Sequence, residues 1–344
     1  MILYVILAFL SALLFGAATP ISKVLLEDLS PFQLAGLLYL GAAIGVLPML
    51  VLKGKLLPVW KVYRKNQVRL VGAVLLGGIG GPVALLFGLQ LAAAASVAMW
   101  LNLEFVATAL LGQFVFKDYL GKYGWLAAGG TVLAAGLLSW GEGEAGLVAG
   151  LMVALGCLCW GFDNHLTALI DGITPSESTF WKGSVAGTVN LLIGLQLAPL
   201  AADWIVTGEA LALGTLSYGA SIALYITAAQ HIGATRGQMI FSTAPFFGVA
   251  LSIAILGEPL TVLQGVAAGV LVGALFLLAR EGHGHEHEHW AMQHEHWHRH
   301  DDEHHMHVHP KLPPWFGHSH AHEHEGTAHA HPHMPDLHHR HRHD

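Results

Sequence analysis

Asp163, Asn164 and His165 stand side by side in "LCWGFDNHLTALI" (158–170), and Glu104 stands alone in "VAMWLNLEFVATALL" (97–111). An ionisable group at the centre of a membrane helix costs roughly 2.5–3.5 kcal/mol, so such groups are few and face the interior of a helix bundle. A carboxyl in that position suits carriage of a proton or capture of a polar group on a solute. Glu104 lies mid-segment, with Trp100 about one turn away and Asn102 nearby, and is the candidate coupling or binding carboxyl; the plainer alternative is a neutral carboxyl hydrogen-bonded between helices. Asp163 falls nearer a helix end, at a depth shared with Lys182, so the two are expected to form an ion pair, acting as a gate or as a staple. Asn164 reads as an interhelical hydrogen-bonder or a cavity amide. His165 reads as a packing group before a metal ligand. Thr19 precedes Pro20, which can break a membrane helix and free carbonyls for a ligand. Gln90 and Gln230 occupy matching places in the two halves of the chain as candidate cavity amides.

A second chemistry sits at the C-terminal end. Residues 281–344 hold 23 of the 25 histidines, together with 11 acidic and 4 basic side chains. His285, His287, His289, His294, His296, His298, His300, His304, His305, His307 and His309 are the candidate metal ligands. Neutral imidazoles suit Ni, Co, Zn and Cu. With few apolar side chains to bury, this appendage is expected to be disordered. "HEHEH" (285–289) and "HEHWH" (294–298) satisfy the metalloprotease pattern H-E-x-x-H, but a dense His/Glu mixture meets it by chance, without the shaped site the chemistry needs. No enzyme activity and no required cofactor are expected. Nucleic acid is not expected as a partner.

The elements that would position the buried groups follow from composition. The chain is 54% hydrophobic and 11% charged, and residues 1–280 balance 12 acidic against 12 basic side chains. That is a membrane protein's composition, with the lipid bilayer as its first partner. About 20 apolar residues span a bilayer as a helix, and breaking the body at charged, Pro-rich or Gly-rich points gives ten spans. They are expected near 2–22, 31–52, 70–91, 94–115, 122–140, 147–168, 179–199, 209–230, 236–256 and 261–280. The first run lacks a basic leader and is read as a retained span, not a secretory signal. Cys157 and Cys159, two apart in an apolar segment, suit neither a zinc knuckle nor a disulfide framework. Lys53, Lys55, Lys61, Arg64, Lys65 and Arg69 crowd one connection, which the positive-inside rule places in the cytoplasm, with both termini.

The chain also repeats itself. "SALLFGAATPISK" (11–23) aligns with "GCLCWGFDNHLTA" (156–168), "VALLFGLQLAAAAS" with "IALYITAAQHIGAT", and "LEFVATALLGQFVFKDYL" with "APFFGVALSIAILGEPLT". Five spans per copy is an odd number, so the copies must run in opposite orientations. Inverted repeats of this kind mark secondary transporters, with the substrate site between the halves.

At this point the chain resembles the drug/metabolite transporter superfamily, in its ten-helix branch of two EamA-type domains. The likeness rests on the Gly-containing helix that opens each half, "LLFGAATPISK" and "LCWGFDNHLTA". It rests equally on "GATRGQMIFSTAPFFGVALSIAILGEPLTVLQGVAAGVLVGALFLL", with Pro245 and the ending Gly257-Glu258-Pro259-Leu260. The first half departs from the pattern: Glu104 stands where Pro is expected, and "FKDYL" replaces "GEPL". The resemblance implies an all-α integral membrane protein of ten transmembrane helices, with repeats at 1–140 and 147–280 and a cytoplasmic tail at 281–344. It implies export or exchange of a small organic solute across the inner membrane. Two other readings stay open: efflux or tolerance of a divalent metal gathered by the tail, and a membrane-anchored metal sensor or store.

Overall fold

The computed structural model describes residues 2–53, 63–116, 121–170, 173–232 and 240–280, with stretches of the appendage at 284–288, 292–298, 318–324 and 328–332. Helices α1 (Ile2–Leu25), α2 (Pro31–Lys53), α3 (Arg64–Leu91), α4 (Ala94–Phe116) and α5 (Lys122–Gly141) form a first set. Helices α6 (Gly143–Ala168), α7 (Pro175–Leu197), α8 (204–232), α9 (Ala244–Leu256) and α10 (Val262–Ala279) form a second. Ile2–Leu25, Pro31–Val51, Arg64–Leu91, Ala94–Phe116 and Gly143–Thr167 are each long and apolar enough to cross a membrane. Apolar side chains stand outward along the bundle, as in Leu126, Val132 and Leu133 of α5 and Leu147, Leu151 and Leu155 of α6. Trp140 and Trp204, 87% and 83% exposed, flank helix ends where interfacial aromatics belong. This is a multi-pass membrane protein.

Local chemistry sets the helix starts. Ser30 with Gln33, Thr174 with Glu177, and Thr261 with Gln264 exchange side-chain and backbone hydrogen bonds as capping boxes before α2, α7 and α10. Asp203 accepts from the N–H groups of Ile205 and Val206, so α8 starts at Trp204, five residues before the expected start. Likewise α3 starts at Arg64 and not near 70, because long basic side chains can continue a helix to the interface and keep their charges wet. Residues 233–239, where the ninth span was expected to begin, lie outside the described residues.

Glycine lets the helices approach. A Cβ added at Gly36 or Gly183 would meet the backbone of Leu191 or Tyr39 at 2.6 and 2.7 Å, which joins α2 to α7 backbone against backbone. Gly41 and Gly45 do the same for α2 against α8. Two wide turns recur at matched places: π-helical segments fill Val74–Gly80 in α3 and Gly214–Ala220 in α8, each after a ten-residue α-helical lead of Arg64–Ala73 or Trp204–Leu213. A π turn inserts an extra residue and leaves carbonyls without their helical donors.

In its described stretches the appendage forms paired strands, where a disordered segment was expected. Strands β1 (Gly284–Glu288) and β4 (Ala328–Pro332) pair antiparallel, as do β2 (Met292–His298) and β3 (His318–His324). The reason lies in the alternation of histidine with other residues, whose period of two is the period of a strand.

Candidate functional site

The π segment of α3 organises one side of the site. Its freed carbonyl at Gly77 accepts from Tyr39 Oη of α2 at 2.5 Å and from Trp160 Nε1 of α6 at 3.0 Å, and Gly78 O accepts from Asn190 Nδ2 of α7 at 3.0 Å. Three helices are thereby pinned to one irregular turn. Asp163 then packs on Gly77 so closely that a Cβ there would fall 2.1 Å from Asp163 Oδ2. That oxygen accepts from Lys182 Nζ at 2.6 Å, while Thr167 Oγ1 donates to Oδ1 at 2.9 Å. The pair is shielded, with side-chain exposures of 14% for Lys182 and 7% for Asp163. The structure thus places Asp163 and Lys182 in direct contact.

Glu104 lies in the same cluster. Asn164 Nδ2 donates to Glu104 Oε1 at 2.9 Å and to Thr108 Oγ1 at 3.2 Å, and His165 Nε2 lies 2.9 Å from Thr108 O. His165 stacks on Phe116, ring centres 4.2 Å apart. The helices can come this close because Gly161 of α6 meets Ala107 and Thr108 of α4, where an added Cβ would be 3.1 Å from the backbone. The spacing along the chain separates a mid-membrane Glu104 from a shallower Asp163; the structure draws the two together. The cause is the course of α4, which breaks its regular helix at Leu101 and Asn102 and crosses α6 at Gly161.

An aromatic series that the sequence reading missed starts beside this cluster, at Tyr39, which shares Gly77 with Asp163. Tyr39 touches Tyr218 with ring centres 5.6 Å apart, Tyr218 touches Phe15 at 5.7 Å, Phe15 touches Phe241 at 5.3 Å, and Phe241 touches Tyr225 at 5.0 Å. Tyr218 and Tyr225 of α8 lie within electrostatic reach of Glu104, as do Asp163 and Lys182. Only aromatics at matched depth on helices distant in sequence could have signalled it.

The remaining candidates are placed as follows. Trp100 is fully buried, its indole donating to Ala135 O at 3.1 Å, so it packs the core and does not line an open space. Asn102 bonds locally to Met99 O at 3.2 Å. Thr19 is buried and shares a narrow apolar pocket with Phe15, Gly16, Ala98, Pro245 and Gly248. Gln90 is exposed near the end of α3, away from the cluster. The Gln230 side chain and those of the tail histidines lie outside the described residues. Among the described residues no group of three or more His, Cys, Asp or Glu side chains could hold a metal ion.

Comparison with known proteins agrees with this architecture. The EamA-like transporter family matches residues 2–140 and again 147–280. An uncharacterized transporter of Methanothermobacter thermautotrophicus is 25% identical over 298 residues, covering 79% of this chain and 84% of its own. One solved crystal structure aligns with a TM-score of 0.57 at 16% identity, over 80% of this chain and 95% of that one, a likeness of fold alone. Two successive matches to one family, meeting at the junction of the two helix sets, leave a single assignment: the chain belongs to the EamA-like transporter family.

Proposed function

We propose that the protein is a secondary transporter that exports a small organic metabolite across the inner membrane, with Glu104 as its protonatable coupling group. The observation that carries this reading is the bond between Glu104 and Asn164. It joins α4 of the first helix set to α6 of the second, and Glu104 lies within electrostatic reach of Tyr218 and Tyr225 in the aromatic series that runs through Phe15, Tyr39 and Phe241. A carboxyl at the seam of two halves can exchange its proton or partner when the halves rock, and aromatic walls suit organic solutes. The matched π segments and ten-residue leads support a duplication, and five helices per copy require the copies to be inverted. The basic connection between α2 and α3 orients the protein with both termini in the cytoplasm. Replacing Glu104 by Gln should leave a folded protein whose solute flux no longer responds to pH. Comparing exported metabolites from cells carrying either form, with flux measured at two external pH values, tests it; an unchanged pH response in the variant removes Glu104 from the mechanism.

A second reading, efflux or tolerance of divalent Ni, Co or Zn, is favoured by the backbone register of the appendage. His294 pairs with His322, His296 with His320 and His298 with His318, and in the other sheet His285 pairs with His331 and His287 with His329. Directly opposed residues share a face of the sheet, so each ladder lines up histidines along one face. Against metal as the solute moved stands the body, where Glu104, Asp163 and His165 lie together and no group of three or more ligands able to hold a metal ion is found among the described residues. The tail therefore enters the first reading as an accessory metal-binding element, and metal is the cargo only in the second.

A further inference from the structure

At the end of the bundle where α3 finishes and α4 begins, the second half of the molecule grips the first. Both carboxylate oxygens of Glu258, in the turn between α9 and α10, accept from the start of α4: Ala94 N–H donates to Oε1 at 2.8 Å and Ala95 N–H to Oε2 at 2.9 Å. These are the donors that a helix leaves unpaired at its beginning. Ala93, at the cap position, has no side chain to satisfy them. Two residues on, Gln264 of α10 donates from Nε2 to Ser96 Oγ at 2.9 Å, and Ser96 in turn donates to Glu142, in the turn before α6. Ser96 and Gln264 are buried, so water does not compete for this contact. Lys23 closes the neighbouring end of α3, donating to Leu89 O at 2.6 Å and Ala92 O at 3.0 Å, within electrostatic reach of Glu258 and Glu142. Asp203 offers a contrast, because its carboxylate caps the N–H groups of its own helix.

We propose that Glu258 and Gln264 are a latch that holds this end of the molecule shut, and that the transport cycle opens it by withdrawing the turn between α9 and α10 from the start of α4. An ordinary cap travels with its helix and is indifferent to movement of the halves. A cap supplied across the seam must break whenever the halves separate at that end, so it weights the population toward the closed form. The latch rests on the transporter reading only in requiring two states. It makes no use of Glu104, so either can fail without the other.

The test is a distance measurement on the full chain in lipid nanodiscs. Spin labels go at Leu91→Cys and Val262→Cys, exposed positions on either side of the seam, in a background where Cys157 and Cys159 are alanine. The unmodified latch should give one dominant short distance. Glu258→Gln, which keeps the shape and removes the charge, should raise a longer-distance population several-fold, and Gln264→Leu should do so independently; Asp203→Asn should leave the distribution unchanged. Distributions for Glu258→Gln and Gln264→Leu that match the unmodified protein overturn the latch. A broadening in Asp203→Asn as large as in Glu258→Gln overturns it too, because that is what loss of any helix cap would produce.

Discussion

The ion pair of Asp163 and Lys182 is where a single side chain matters most. Removing one member leaves the other charged and shielded, and such a lone charge costs about 3–5 kcal/mol, although exchanging both members for neutral groups of similar size is often tolerated. Asp163→Ala and Lys182→Ala should therefore each destabilise the folded protein by about 3 kcal/mol, and the neutral pair Asp163→Asn with Lys182→Gln by much less than their sum. Unfolding of the three variants in detergent, followed by helical signal, measures the coupling. Solute flux through the neutral pair then separates the two roles left open by geometry, since a staple keeps transport and a gate loses it. Gly77→Ala tests the same contact from its other side. An added methyl would fall 2.1 Å from the Asp163 carboxylate, so this variant should lose stability like the broken pair, even though no charge has changed.

At the scale of the helix, a glycine matters where two backbones meet at it. Gly41 of α2 would drive a Cβ to 2.3 Å from Leu211 O, whereas Gly129 of α5 has nothing within 4 Å. Gly41→Ala should destabilise by about 1–3 kcal/mol through forced separation of two backbones, while Gly129→Ala should be neutral or mildly stabilising through helix propensity; thermal unfolding of the two variants side by side decides it. Helix number and order were legible in the sequence because hydropathy over about 20 residues, broken at charged, Pro-rich or Gly-rich points, is a local signal. What was not legible depends on contacts between distant segments. The π turn at Val74–Gly80 reads in sequence as a small-residue packing stripe, and only in three dimensions do its carbonyls meet Tyr39, Trp160 and Asn190. The break at Leu101 and Asn102 likewise has no proline to announce it, so Glu104 and Asp163 read as separate in depth although the structure gathers them.

The whole molecule joins a neutral apolar body to an appendage that carries all of the net charge of −7 and nearly all of the histidine. These parts answer to different physics. The body is held by backbone satisfaction and close packing, whereas β1 to β4 have little apolar surface to hold them, and paired strands of that length are marginal in water unless something clips them. If the tail binds divalent metal as proposed, the ion would be such a clip with neutral imidazole as its ligand, and affinity should rise with pH through the range near 6.5 where histidine loses its proton. A chain ending at Arg280 separates the two parts at this scale. If the body is the exporter and the tail an accessory, the shortened protein should insert, fold and move its metabolite at a rate set by the body, while losing bound Ni or Zn and any metal dependence of flux. Cells carrying the full chain, the shortened chain or neither would then differ in exported metabolites by presence of the body alone. A phenotype restricted to metal tolerance, present only with the full chain and accompanied by no metabolite difference, would instead make metal the cargo and the tail its collecting surface.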